Sequence, residues 1–405
     1  ELRDLWEYEL DLEPADRELL IAHLWELMAA DYTYYFFNRN CAYRMGELLQ
    51  LVVGNNMIES WRPWDTPQAV VQRLGDLSYY SRPLVKRVTY HPSRQSRLYQ
   101  RYEHLNTKER FAVHQLVKKK DDLEGKTLSS MELDSQFKVL DTMLDYYEFI
   151  REEKEGARDQ NNENYRHVLS KRYQLPPGEA AQKFVSDNQP HLGRKPSYLN
   201  IGIVSHETQG ESLSIWLRPA YYDSLDASYG HIKNASLSMA ELTLGITDDE
   251  LYVREFNVVK IESLRRNFTG LPGDHKSSWY LDVGAKQEWL GCTDCLATKA
   301  RSGYGYATST FNDRLLMAGF IGGGFLGQSL DSENLYASAR ATLNLNINEK
   351  LSFLAEAEQR LFQSDKEVHL YIFQTRVQLS KQTDARFYFA QDTEQELGFS
   401  VGVYW

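Results

Sequence analysis

The chain has 405 residues, of which 42% are hydrophobic and 25% are charged, an ordinary globular balance that excludes intrinsic disorder and collagen-like repetition. Its net charge of -11 argues against a nucleic-acid partner, because such binding draws on clustered basic residues. A mean hydropathy of -0.55, with no run of about eighteen apolar residues, excludes a transmembrane helix. A membrane β-barrel escapes that test, because its alternating residues average out in a hydropathy window.

Apolar residues recur at helical spacing up to about residue 190. Pro14 suits the first turn of a helix, and Thr66 suits the cap of a short one that ends near Gly75. We expect helices over residues 14–30, 42–53, 67–75, 97–119, 130–154 and 160–173. The residues expected to face inward are Leu19, Leu20, Leu24, Leu27 and Met28 in the first helix, Met45, Leu48, Leu49 and Val52 in the second, and Met131, Phe137, Leu140, Met143, Leu144 and Phe149 in the helix over 130–154.

From Ser197 onward the apolar residues alternate, which is typical of strands. Residues 335–347, for example, place Leu, Ala or Ile at every odd position. Turn signals divide this half into about twelve strands, starting near residues 197, 211, 235, 250, 276, 296, 313, 333, 350, 366, 383 and 395. A phase change near Ala240 and Glu241 indicates a β-bulge. Short connections predict an antiparallel meander, which must close into a barrel to protect its edges.

The alternation leaves open which face of the barrel is wet. Small apolar side chains could not fill the interior of twelve strands, since about eight strands already leave an interior just wide enough for side chains. We therefore expect the apolar face to contact lipid and the polar face to line the lumen; a soluble β-sandwich is the alternative. The charged residues expected to pair inside are Arg340, Glu356, Glu358, Arg360, Arg376, Arg386 and Glu396.

The last strand supplies a resemblance. Residues 398–405 alternate in hydrophobicity and end in Trp405, and this pattern resembles the insertion signal of bacterial outer-membrane barrels. The resemblance implies that the helical half lies in the periplasm.

Three cysteines are too few for a disulfide scaffold. Cys292 and Cys295 have C-x-x-C spacing without a second ligand pair, so we expect a loop disulfide rather than a zinc site. Cys41 opens a predicted helix, where unpaired backbone N–H groups and the helix dipole favour a thiolate. It is therefore a candidate nucleophile; a small residue buried beneath a Tyr/Phe layer is the alternative.

The N-terminal sixty or so residues resemble the Lnb-type periplasmic domain, named for bacterial lipoprotein N-acyltransferases. The resemblance lies in Arg3-Asp4-Leu5-Trp6-Glu7-Tyr8, His23-Leu24-Trp25-Glu26-Leu27 and Tyr34-Tyr35-Phe36-Phe37-Asn38-Arg39-Asn40-Cys41. That domain is similar to permuted NlpC-type papain-like folds, in which a histidine on an upstream strand precedes an Asn-Cys pair. The resemblance implies that Cys41 is the nucleophile and Asn40 the residue preceding it.

The family's histidine has no counterpart here, and the chain reads as a piece of a longer precursor that begins after it. His23 is expected to be a packing or surface residue, and His91, His104, His114 and His167 lack any spacing related to the cysteine. The base should therefore come from an upstream segment or another chain. The barrel is a second difference from the family, because in the acyltransferases this domain is followed by membrane helices.

We thus expect an α+β chain in three parts: the C-terminal half of an Lnb-like, partly papain-like domain (1–60), a helical periplasmic region (61–190) and an outer-membrane barrel (191–405). The leading hypothesis is a thiol-dependent acyltransferase or hydrolase acting on a lipoprotein, a lipid or another envelope amide or ester. No cofactor or metal is expected, and the expected partners are outer-membrane lipid and lipoproteins. The alternatives are a transport or assembly barrel with a helical plug, and lipid hydrolysis like that of outer-membrane phospholipase A using His369.

Overall fold

The computed structural model describes residues 3–35, 39–54, 57–59, 64–118, 123–153, 158–177, 182–226, 230–231, 233–274, 277–311, 313–327, 334–363 and 366–405. Phe36, Phe37 and Asn38 of the candidate motif lie outside these residues. The chain forms two compact units. Unit 1 comprises Glu1–Leu10, Val85–Asp187 and Asn267–His275, and unit 2 comprises Asp11–Leu84, Asn188–Arg266 and Lys276–Trp405. The expected boundaries at residues 60 and 190 stay a prediction.

The elements before the barrel are mostly helical. In chain order they are β1 Leu5–Leu10, α1 Pro14–Leu27, α2 Cys41–Val53, α3 Pro67–Asp76, β2 Ser78–Tyr79, β3 Arg82–Pro83, β4 Val85–His91, α4 Arg94–Glu103, α5 Thr107–Lys118, α6 Lys126–Ser129, α7 Leu133–Glu153 and α8 Arg158–Gln174, followed by a 3-10 turn, Pro190–Leu192. Within the described part of the chain, no helix combines the length and the apolar character needed to span a bilayer.

Twelve long strands follow, as the alternation predicted. They are β5 Tyr198–His206, β6 Gly210–Arg218, β8 Ala235–Ile246, β9 Leu251–Ser263, β10 Ser278–Gln287, β11 Leu296–Thr310, β12 Leu315–Leu326, β13 Leu335–Asn348, β14 Leu351–Phe362, β15 Glu367–Gln378, β16 Thr383–Gln391 and β17 Gln395–Tyr404, with a short β7, Ala220–Tyr222, beside β8. Each strand pairs antiparallel with its neighbours, β17 pairs with β5, and the β6–β8 pairing closes the barrel.

Exposure settles which face is wet. Leu343, Phe387 and Val403 are 46%, 37% and 40% exposed on the outside, whereas Arg340 and Arg386 are 8% and 6% exposed. The charged face therefore lines the interior and the apolar face contacts lipid, so the soluble β-sandwich alternative is wrong. Near the predicted bulge, Ala240 adopts a left-handed φ of 53°, and the β8–β9 register shifts between Thr243 and Leu244.

Two predictions about the helices are wrong. Two helices, α4 and α5, stand where one was expected over 97–119. Asn106 starts α5 with a reciprocal capping pair: its Oδ1 accepts from the Glu109 N–H (3.0 Å), and Glu109 Oε2 accepts from the Asn106 N–H (2.8 Å). In α1, Leu20 is buried, but Leu19, Leu24 and Met28 are exposed, and so is Met45 in α2.

Unit 1 holds a helical core that the sequence predicted in part. Leu140, Met143 and Phe149 of α7 are buried, while Met131 and Leu144 are partly buried at its margin. Sequence analysis missed the two-stranded antiparallel sheet of β1 and β4, in which Trp6 lies opposite Tyr90.

Candidate functional site

The candidate nucleophile lies at the start of α2. Cys41 is the first helical residue, its thiol is free, and it is exposed, so the alternative of a buried structural cysteine is wrong. Asn40 caps the helix: its Oδ1 accepts a hydrogen bond from the Tyr43 N–H (3.0 Å). The other end of the same side chain donates from Nδ2 to the Asp65 carbonyl (2.7 Å). Asn40 is only 3% exposed, so both ends of the cap are fixed.

Asp65 leads into α3, the helix that supports this cap. Its carboxylate pairs with Arg73, and the Thr66 hydroxyl accepts from the Ala69 N–H (3.2 Å), as the sequence predicted for the cap of this helix. The α2 start and the α3 start are thus joined through Asn40 and Asp65.

α3 is itself attached to the end of the barrel where the first strand begins. The Gln72 and Gln68 side-chain amides donate to the Arg194 carbonyl at 2.6 and 3.2 Å. Just before α3, Trp64 donates to the Ser197 hydroxyl (3.3 Å), and its ring meets that of Trp405 edge-on at 5.8 Å. These contacts hold the cysteine segment against the first and last residues of the barrel.

Among the described residues the Cys41 thiol has no hydrogen-bond partner, and hence no histidine base. The neighbouring Arg44 lies 4.4 Å from the Tyr32 ring and pairs with Glu47 (2.6 Å). Four of the histidines that sequence analysis considered have other partners: His23 contacts Glu26, His91 contacts Glu7, His104 contacts the Gln100 carbonyl, and His114 contacts Tyr102. The described part of the site therefore consists of an exposed thiol and the capped helix start that carries it.

The barrel interior carries cross-strand ion pairs, as predicted. Arg340 bridges Glu356 (2.7 Å) and Glu262 (2.8 Å), while Arg301 joins Asp282 and Glu358 at 2.9 and 3.1 Å. The predicted residues Arg360 and Glu396 also pair, with Glu358 and Arg254 respectively. These ion pairs compensate the buried charges of the barrel interior, which would be unfavourable on the lipid-facing exterior.

A second charged group, which we call the rim cluster, lies at the strand ends beside Ser197 and Trp405. Its members are Tyr198, Arg218, Asp223, Asp226, Arg376, Asp384, Arg386 and Tyr404. Arg218 pairs with Asp223 (2.7 Å) and Asp226 (2.6 Å). Burial disfavours the charge of Asp223, but Arg386 and Arg218 hold its pKa below the ordinary value.

Sequence analysis found Arg376 and Arg386 but missed the cluster. A signal was available, because the β15–β16 register places these two arginines directly opposite each other. Two like charges in a buried cross-strand pair require shared carboxylates. Asp384 pairs with both arginines, and Asp223 and Asp226 pair with Arg386.

The remaining candidates outside the cysteine site are resolved. Cys292 and Cys295 form the predicted disulfide in the β10–β11 loop. His369 lies on β15 opposite Gln359 and contacts Glu367 at 3.7 Å, with no serine opposite it. No group of three or more potential metal ligands occurs in the described part of the chain.

Three family descriptions match separate segments. Residues 1–73 match the Lnb N-terminal periplasmic domain, 88–184 match a Domain of unknown function (DUF7842), and 187–405 match a Domain of unknown function (DUF7840). No curated protein matches the chain.

Several solved structures are similar to it. The KdgM porin in complex with disordered oligogalacturonate has 7% identity, a TM-score of 0.32 and coverage of 51% of this chain and 99% of its own. LpxR from Salmonella typhimurium has 11% identity, a TM-score of 0.30 and coverage of 52% and 100%. Omp33 from Acinetobacter baumannii has 10% identity, a TM-score of 0.29 and coverage of 52% and 99%.

The closed barrel with its apolar exterior and the Lnb-type match together place the protein in the bacterial outer membrane, with its N-terminal region in the periplasm. Since the match over residues 187–405 covers more than half of the sequence, the chain belongs to the family described as Domain of unknown function (DUF7840).

Proposed function

We propose that this protein is an outer-membrane-anchored, thiol-dependent acyltransferase or hydrolase with Cys41 as its nucleophile. The Cys41 thiolate attacks the carbonyl carbon of an ester or amide, a thioester forms, and the alcohol or amine leaves with a proton from the general acid. An amine or water then attacks the thioester, its proton passes to the base, and the thiol is released.

The observation that carries the proposal is the exposed thiol at the start of α2 beside a buried, doubly bonded cap. The cap satisfies the Tyr43 N–H, so the first turn stays helical and keeps Cys41 at its exposed start. The match of residues 1–73 to the Lnb N-terminal periplasmic domain supports this use of Cys41.

The base in this proposal is a histidine supplied by an upstream segment or another chain, since no described residue forms a hydrogen bond with the thiol. The proposed substrates are lipids or lipoproteins of the inner leaflet. The contacts of Trp64 and α3 with the barrel support that choice, because they keep the thiol near the membrane and raise the effective concentration of membrane-held substrates.

The test measures covalent acylation of the full-length protein in cells that are grown with an alkyne-labelled fatty acid. We expect label on the wild type that neutral hydroxylamine removes, label on Cys41→Ser that resists hydroxylamine because it is an oxyester, and none on Cys41→Ala. As a matched control, Ser129→Ala changes an exposed hydroxyl of unit 1 and should leave the label unchanged.

A second measurement uses iodoacetamide on the purified chain. We expect the free, exposed Cys41 thiol to be alkylated in the folded protein, as a nucleophile open to substrate must be. No alkylation of Cys41 in the folded protein, together with no acyl label on the wild type, would refute the enzyme proposal and favour a non-enzymatic transport or assembly barrel.

A further inference from the structure

The carboxylates of the rim cluster are already engaged by hydrogen-bond donors. Asp384 Oδ1 accepts from the Tyr198 hydroxyl (2.6 Å), and its Oδ2 accepts from the Tyr404 hydroxyl (2.8 Å), from Arg376 Nε (3.2 Å) and from Arg386 Nε (3.3 Å). Asp226 likewise accepts from Arg218 (2.6 Å) and Arg386 (3.1 Å), and its Oδ1 lies 2.5 Å from the Tyr404 hydroxyl, whose single proton it shares with Asp384.

One more guanidinium enters this region. Arg194 is 9% exposed and stacks over the Tyr404 ring, 4.7 Å from its centroid. Its Nη1 approaches Asp384 Oδ2 only to 3.8 Å, and within the described residues neither Nη1 nor Nη2 has a hydrogen-bond partner. A buried guanidinium without acceptors is costly, and this group is the fourth arginine beside three carboxylates.

Arg194 lines a small cavity that is partly open to solvent. Lys195 adds a second cation, and Gln68, Tyr221 and Tyr222 add polar side chains. His231 stacks on Tyr222 at 3.7 Å, and burial lowers the pKa of His231 to about 4, so its ring is neutral at pH 7. Asp226 also reaches the cavity, but its carboxylate is engaged as described above.

We propose that this cavity is a binding site for a phosphate group, with the Nη1 and Nη2 atoms of Arg194 as its central donors. A guanidinium fork matches two phosphate oxygens, and the excess positive charge around Arg194 favours an anion over a neutral ligand. The phosphate belongs either to a phospholipid head group of the inner leaflet or to free phosphate of the periplasm. The proposal does not depend on the chemistry of Cys41.

The experiment uses the full chain purified in an uncharged detergent. One arm titrates inorganic phosphate by calorimetry, with acetate as a counter-probe, and the other detects phospholipid retained on the protein by native mass spectrometry. We expect Arg194→Gln to weaken whichever binding occurs at least about tenfold, because charge-assisted hydrogen bonds are lost. Lys350→Gln, which removes an exposed charge in the β13–β14 turn, should bind as the wild type does.

Retained phospholipid that depends on Arg194 supports the head-group source, and phosphate binding without retained lipid supports the free-anion source. Three results would overturn the proposal: Arg194→Gln binds as tightly as the wild type, Arg194→Gln and Lys350→Gln lose binding equally, or acetate binds as tightly as phosphate. Heat-modifiable electrophoretic mobility reports whether Arg194→Gln folds. If Arg194→Gln does not fold, the wild type alone decides the test. Binding of neither phosphate nor phospholipid overturns the proposal, and a rise in the unfolding temperature of the wild type on adding phosphate supports it.

Discussion

Replacing Asn40 by Ala should loosen the candidate site without touching the thiol. The change removes the helix cap, worth about 1 kcal/mol, and a buried hydrogen bond to the Asp65 carbonyl whose loss costs about 1–3 kcal/mol. Local opening of the α2 start should therefore become easier by about 2–4 kcal/mol, which means amide exchange at least about thirtyfold faster. Hydrogen exchange read by mass spectrometry on peptides covering α2 measures this directly.

Asn40→Asp separates the two contributions, because a carboxylate still accepts from the Tyr43 N–H but cannot donate to Asp65. We expect near-normal protection of α2 and a loosened α3 start. Thr66→Ala is the matched control, since it removes the same kind of cap from α3 while leaving that of α2 in place. If exchange at Tyr43 is unchanged in Asn40→Ala, the cap does not hold the α2 start, and the argument that it positions Cys41 fails with it.

Three further predictions concern the rest of the molecule. A thiol assay on the native protein should find one reactive cysteine per chain, Cys41; two or three would contradict the disulfide. Ile321→Arg, in the middle of a lipid-facing strand, should destabilise the barrel by about 2–4 kcal/mol in denaturant refolding, and Ile347→Arg near a strand end by about 0–1 kcal/mol; equal losses would contradict the depth argument. Burial raises the pKa of Tyr147 to about 12, so the folded chain holds its proton between pH 10 and 12 while the unfolded chain loses it, and unit 1 should lose about 1.4 kcal/mol per pH unit there. Tyrosinate absorbance should show late ionisation, and Tyr147→Phe should reduce its amplitude without abolishing it, because burial also raises the pKa of Tyr90 to about 12.

The barrel could be predicted from the sequence because its signal is local. Alternation within a strand gives both the strand and its apolar face, and each turn residue marks the next strand, so the expected starts lie within a few residues of the observed ones. The α2 start at Cys41 and the Thr66 cap were predicted on the same basis.

What escaped prediction was non-local or weakly patterned. β4 carries Lys86 and Arg87 and has no clean alternation, so its pairing with β1, across more than seventy residues, left no sequence signal. The α4–α5 break did have one, the Asn106 and Glu109 capping pair, which a continuous apolar period concealed. The rim cluster joins Asp223 in a loop to Arg386 far along the chain, a contact that only barrel closure creates.

Barrel closure also determines where the cysteine lies. Cys41 follows Asn40, Asn40 is bonded to Asp65, and α3 is bonded to the Arg194 carbonyl. The Arg194 side chain then stacks on Tyr404 of the last strand, and Tyr404 is bonded to the rim cluster. Each of these contacts contributes little free energy alone. Together they fix the position of the Cys41 thiol relative to the membrane, because every residue in the series after Asn40 is buried or bonded to both of its neighbours in the series. An excised N-terminal segment would lose this support, so its α2 start should exchange amides faster than the same residues do in the intact chain, by an amount that measures what the barrel contributes to the site.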